Sequence, residues 1–269
     1  MALKQGPLHY RDEGRGPPLV FIHGLLVNNR VWEPLIPFLS ATHRCLIPDW
    51  PLGAHPEPMN PDADLTSAGQ SQLIADFLEA LDLHDVTLVG NDTGGALAQF
   101  VATQHPHRVK KLVLTTCDAF EVFPPLMFRY LVWVAKLPDA AMALMAKSMQ
   151  LVPALRRLPI AWGDVSRTRL SAELLEEWSR PTLDPSIRRD TVKFLRSIDP
   201  RDTMAAAERL AAFPGEVHLI WTPEDRYFPV SLAHRLQAKV PKAKLDLIAD
   251  AQVYVAIDQP DRLAALLRG

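Results

Sequence analysis

Cysteine is almost absent from this chain: Cys45 and Cys117 are the only two among 269 residues. Both stand in apolar runs that read as strands, so buried free thiols are expected and a disulfide scaffold is excluded. An excess of either charge is lacking too, with 29 Lys and Arg against 31 Asp and Glu, and the net charge is −2. That balance leaves no basic footprint for nucleic acid. No apolar run is long enough to span a bilayer, and no basic-plus-apolar leader is visible. The expectation is a cytoplasmic protein with no membrane partner. There is no internal repeat, no low-complexity tract and no residue pattern that asks for a metal or a cofactor.

What is present is ordinary globular composition, 48% hydrophobic and 22% charged, on a chain long enough for one α/β domain with an insertion. Leu8–Asp12 alternates in character ahead of a turn cluster at 13–18. Leu19–Ile22 is a fully apolar strand of the kind buried on both faces. Apolar spacing predicts a helix over Asn29–Ser40 despite Pro34 and Pro37, a strand over His43–Ile47 and an amphipathic helix over Thr66–Leu81. Strand and helix continue to alternate through Val86–Val89, Gly94–His105 and Val109–Thr115, which argues for a mostly parallel, doubly wound sheet. From 118 to 213 no strand pattern appears; helical runs are punctuated by eight prolines from Pro124 to Pro200. Strands resume with Val217–Trp221 and Ala243–Ile248, and helices are predicted at Ser231–Val240 and Pro260–Leu267. The expected organisation is a core of 1–117 plus 214–269, with 118–213 as a helical lid.

The chain is sparing with glycine, yet Gly90, Gly94 and Gly95 fall within six positions around Asp92. An apolar strand, Thr87-Leu88-Val89, turns sharply there and a small-residue helix begins at once. Two backbones that nearly touch need small residues, and glycine also accepts unusual backbone angles. Such a turn holds its central side chain, Asp92, over the carboxyl end of the sheet. The same glycines do not form a P-loop, because Ala96-Leu97 follows where Lys-Ser/Thr is needed. Nor do they spell the dinucleotide fingerprint. Helix N-capping is the plain alternative for Asp92.

This elbow, with aspartate where serine is commonest, resembles the α/β-hydrolase superfamily and within it the aspartate-nucleophile branch of haloalkane dehalogenases and epoxide hydrolases. The resemblance extends to His23-Gly24-Leu25 after the first core strand and to Pro48-Asp49-Trp50-Pro51-Leu52-Gly53 after the next. It implies the α/β-hydrolase fold and an oxyanion hole made by the backbone amides of Leu25 and Thr93. It offers two positions for a second carboxylate, Asp225 after the strand that follows the lid and Asp118 after the strand that follows the elbow helix. It also implies a histidine base within a segment like Asp-Ala-Gly-His-Phe/Tyr. Here that segment is Asp250-Ala251-Gln252-Val253-Tyr254, and Val253 stands in the histidine slot, where it can move no proton.

His23 and His55 are the histidines nearest by topology, and a structural role is favoured for the His23 side chain. His23, Phe120, Trp133, Val253 and Tyr254 are expected to border the substrate pocket, with a Met-rich stripe over 142–149 contributing. The implied function is a hydrolase acting on a small, largely apolar organic substrate (ester, epoxide or halide) through Asp92. Two alternatives stay open: a non-catalytic ligand-binding homologue, and a non-hydrolytic enzyme using Asp92 as general base. A homodimer is compatible with the sequence.

Overall fold

A computed structural model describes the whole chain, residues 1–269. Its centre is a seven-stranded sheet made of β3 (Tyr10–Glu13), β4 (Pro18–Ile22), β5 (Arg44–Pro48), β6 (Val86–Asp92), β7 (Val109–Cys117), β8 (Glu216–Trp221) and β9 (Lys244–Leu247). The spatial order is β3-β5-β4-β6-β7-β8-β9, parallel throughout except for the antiparallel edge pair β3 and β5. A two-stranded hairpin of β1 (Ala2–Leu3) and β2 (Gly6–Pro7) precedes it.

The central strands are apolar and buried on both faces: Val20, Phe21, Ile22, Leu88, Val89, Leu112 and Val113 are fully covered. A strand read as continuously apolar requires such double cover. From β4 the chain first moves outward to β5 through α1 (Ile36–Leu39), then crosses back to β6 through α2 (Ser67–Ala80) and on to β7 through α3 (Thr93–Gln104). Right-handed crossovers in opposite directions put helices on opposite faces. The reversal opens a crevice at the carboxyl ends of β4 and β6, where open α/β sheets bind ligands.

The predicted helix over Asn29–Ser40 is instead a 3-10 turn, Asn29–Trp32, and the short α1. Pro34 and Pro37 each lack an N–H, so no continuous helix spans the segment. By contrast α2 forms where expected, with the Thr66 hydroxyl accepting from the Gly69 N–H at 3.2 Å.

Between β7 and β8 no strand joins the sheet. The segment contains α4 (Arg129–Ala135), α5 (Asp139–Leu151), α6 (Ala172–Ser179), α7 (Pro185–Ser197) and α8 (Pro200–Leu210). The last of these packs on α3 and on α9 (Val230–Lys239), against the core. The overhanging part of the insertion therefore ends with α7, short of the expected boundary at 213. Pro200 at the first turn of α8 and the Asp199 cap mark the break. Two short helices, α10 (Val255–Asp258) and α11 (Pro260–Arg268), close the chain, the latter packing against α1.

Close approach, more than backbone freedom, explains the glycines of the elbow. A Cβ on Gly94 would strike the carbonyl of Ile22, one on Gly95 the side chain of Cys117, and one on Gly90 would lie 2.6 Å from the Gly94 carbonyl oxygen. The obstacle at Gly94 is backbone of β4 and cannot swing aside. Gly94→Ala is expected to cost about 3 kcal/mol, as overpacking against immobile neighbours does. Urea unfolding measures this, and a loss below about 1 kcal/mol would contradict the close packing.

Candidate active site

β6 carries the chain to Asp92, whose φ of 54° and ψ of −132° depart from any ordinary strand or helix conformation. A non-glycine residue in this region is strained and persists only where its surroundings force it. Here the forcing is visible: α3 starts at the next residue, wedged against the end of β4, and the Asp118 N–H donates to the Asp92 carbonyl at 3.3 Å. The Asp92 side chain is delivered to the floor of a cavity between the sheet and the inserted helices, and the backbone amides of Thr93 and Leu25 act on its carboxylate.

The cavity is bordered by 23 residues, 17 of them hydrophobic, and none is Lys, Arg or His. Its roof includes Met142, Met145 and Met149 of α5 and Trp178 of α6; Val253 and Tyr254 border it from the core side. Asn91, beside Asp92, ties this together. Its side-chain amide donates to the carbonyls of Thr115, Thr116 and Val253, at 2.9, 3.2 and 2.7 Å. The loop that carries Val253 is thus pinned directly to the elbow.

Two more carboxylates stand behind Asp92. Asp118 is fully buried and accepts from the Thr93 hydroxyl at 3.1 Å through Oδ2, while its Oδ1 has no partner in the chain. Asp225 accepts from the N–H groups of Tyr227 and Phe228 at 2.7 and 2.6 Å through Oδ1, and its buried Oδ2 is unpartnered. Both therefore lie near Asp92 in a site without a cation. Burial raises the Asp92 pKa to about 7, with the charge of Asp225 adding to the rise and the amides of Thr93 and Leu25 opposing it. Burial, and then the charge of Asp92, also holds Asp118 well above the usual carboxylate range. Asp225 rises to about 6 through burial, against the pull of its two backbone donors.

The other expected residues are distributed differently. His23 is buried away from the cavity: its Nε2 accepts from the Trp50 N–H at 2.8 Å, so Nδ1 carries the proton toward the Gly24 carbonyl at 2.9 Å. Burial lowers its pKa to about 4, which keeps it neutral. It clamps the Leu25 loop to the end of β5 and does not border the pocket. His55 accepts from the Gly53 N–H and faces Asp190 of α7, again outside the cavity.

Phe120 is buried beneath the Arg235 guanidinium, 4.1 Å from its ring centroid, and is absent from the lining. Trp133 is 74% exposed and points away from the cavity. Helix α4 turns its buried side, Leu131 and Ala135, inward instead. Trp162 and Trp178 border the cavity but were not anticipated. The spacing of Leu175 and Trp178 on one face of α6 is the signal that marks the latter.

Residues 19–266 match the alpha/beta hydrolase family. The chain belongs to that family. Among its relatives is haloalkane dehalogenase 2 of Mycobacterium tuberculosis, 25% identical over 279 residues, which span 98% of this chain and 91% of the relative. Another is the cis-3-alkyl-4-alkyloxetan-2-one decarboxylase of Shewanella oneidensis, 23% identical over 95% of this chain and 82% of the relative. The haloalkane dehalogenase DbeA of Bradyrhizobium elkani superposes with a TM-score of 0.79 at 18% identity, covering 99% of this chain and 94% of that one. These likenesses support the fold and a dehalogenase-like branch of the family.

The clustered carboxylates have a consequence for folding. Each holds its proton in the native state to a higher pH than in the unfolded chain, so the native state binds more protons across roughly pH 4 to 7. Their contribution is fully present below the unfolded pKa and is lost as pH rises through the folded one. His23, whose pKa is lowered, works in the opposite direction below about pH 6.5. The comparison that isolates the cluster is Asp118→Asn. It is expected to raise the thermal midpoint relative to wild type at pH 8 and to do so much less at pH 5. An equal effect at both pH values would contradict the carboxylate cluster.

Proposed function

We propose that this alpha/beta hydrolase family member acts on a small, neutral, apolar molecule with an electrophilic carbon, and that Asp92 is its nucleophile. The observation that carries the reading is the position of Asp92: a strained carboxylate at the floor of an apolar cavity, faced by the amides of Thr93 and Leu25. A lining without Lys, Arg or His offers no counter-charge to an anionic substrate. The names of the relatives point the same way, to haloalkanes and to alkyl-substituted oxetanones, both neutral.

In the first step one Asp92 oxygen forms a bond to the carbon, and the bond to the leaving group breaks with its electron pair going to that group. The Tyr254 hydroxyl, which borders the cavity and has no hydrogen-bond partner in the chain, is placed to donate to a departing oxygen or halide. In the second step water adds to the ester carbonyl, and the oxygen that becomes negative is held by the amides of Leu25 and Thr93. That step needs a base. On this reading Val253 stands in the base position, and no histidine borders the cavity. Release of the ester is therefore the slow step.

A second reading, Asp92 as general base in a non-hydrolytic reaction, is favoured by its pKa of about 7, which suits proton transfer near neutrality. Both readings require the ionised carboxylate, so the rate should rise with pH through about 7 and level off above it. They separate in Val253→His. If Asp92 is a nucleophile with Asp225 poised behind the base position, hydrolytic turnover should increase by about 100-fold or more, the usual contribution of a positioned general base. Unchanged turnover in Val253→His, together with full loss in Asp92→Asn, would replace the nucleophilic reading with the base reading. Activity unaffected in Asp92→Asn would remove both.

A further inference from the structure

The lid carries apolar side chains on its solvent face as well as on its cavity face. Along α5, Met142, Met145, Ala146 and Met149 border the cavity, whereas Leu144 and Leu151 point outward and are 69% and 81% exposed. Beside it, α4 and the turns flanking it expose Leu126 (79%), Trp133 (74%), Met127 and Leu137. A helix apolar on both sides is ordinarily buried on both sides, and exposed apolar side chains grouped on neighbouring helices mark an interaction surface. The two helices pack against each other, so their outer faces form one surface.

Charge identifies what covers it. Arg129, Lys136 and Lys147 are exposed on these two helices or at their ends, and none forms a salt bridge. The one acidic residue there, Asp139, is already bonded to Arg188 at 2.9 Å. The chain as a whole is net negative, at −2, so this positive, apolar face is a local exception. A second copy meeting it about a two-fold axis would set the same cations against themselves. Anionic lipid headgroups would neutralise them while the aliphatic and indole side chains enter the acyl boundary, the arrangement of interfacial amphipathic helices. Indole rings in particular favour that depth.

We propose that the outer face of α4 and α5 docks on an anionic phospholipid surface. No helix is long and apolar enough to cross a membrane, and none is needed; the contact is peripheral. It goes beyond the proposed reaction and does not depend on it, although it puts the cavity, one helix thickness away, beside a reservoir of apolar molecules.

Co-sedimentation of the whole protein with vesicles tests this, comparing phosphatidylcholine alone with phosphatidylcholine containing phosphatidylglycerol. Binding to the anionic vesicles should exceed binding to the neutral ones by about tenfold or more and should weaken as salt is raised. It should fall by a similar factor in Arg129→Glu/Lys136→Glu/Lys147→Glu and in Trp133→Ser/Leu144→Ser/Leu151→Ser. All six side chains are exposed, so folding is preserved, and the salt titration needs only wild-type protein. Equal binding to both vesicle types, or none to either, would overturn the proposal. So would a reversible dimer, seen by analytical ultracentrifugation, that dissociates with the apolar substitutions in protein that ignores vesicles.

Discussion

The structure turns on a steric constraint at the end of β6. A strand, a turn and a helix meet so closely that three glycines are required, and the single side chain at the tip is forced into a conformation it would not otherwise adopt. Everything at the site is referred to that point. The end of β4 abuts Gly94, which fixes the Leu25 amide relative to Asp92, and Thr93 supplies the second amide as the first residue of α3. Asn91 then carries the constraint to β7 and to the loop of Val253 through three hydrogen bonds. A strained turn of this kind is maintained by the packing around it, and the fully buried strands on both sides provide that packing.

On this rigid floor the electrostatics are unusual because they are one-sided. Asp92, half-buried at the cavity floor, lies with buried Asp118 and Asp225 and no cation among them, and the latter two each leave an oxygen without a partner in the chain. Burial pushes all three upward, and repulsion from a neighbouring carboxylate adds to the rise at Asp92 and Asp118. A histidine between Asp92 and Asp225 would have relieved part of that burden in its charged form. Valine does not, and it makes the cavity wall more apolar. On the reading proposed for Val253 and Asp92, the residue standing in the base position also leaves the nucleophile in more apolar surroundings.

The fold was legible because its signals are local and strong. Doubly buried strands such as Leu19–Ile22 are continuous apolar runs, and the glycines around Asp92 have few other uses. Asp225 and Val253 were named from the family resemblance, and in the structure each lies a few residues beyond a strand end, of β8 and β9. The residues misplaced at the sequence level are ones whose orientation is settled by tertiary packing. Trp133 lies on a helix whose inward side is chosen by contacts with α7, and the inward residues, Leu131 and Ala135, are no more apolar than the outward ones. Phe120 faces Arg235, more than a hundred residues away along the chain. Helix α8 falls within the expected 118–213 insertion, yet it packs on α3 against the core. The helix expected over Asn29–Ser40 failed at its prolines, where periodicity outweighed the missing N–H groups.

The central claim, that Asp92 attacks carbon and is not readily released, is tested most directly by the intact mass of the protein after incubation with apolar haloalkanes, epoxides and strained lactones. The account predicts a stable mass increase, equal to the alkyl group less one hydrogen for a haloalkane and to the whole molecule for an epoxide or strained lactone, mapped by peptide analysis to Asp92 and absent in Asp92→Asn. Product formation from the same compounds with no adduct at Asp92, trapped at any time, would contradict it.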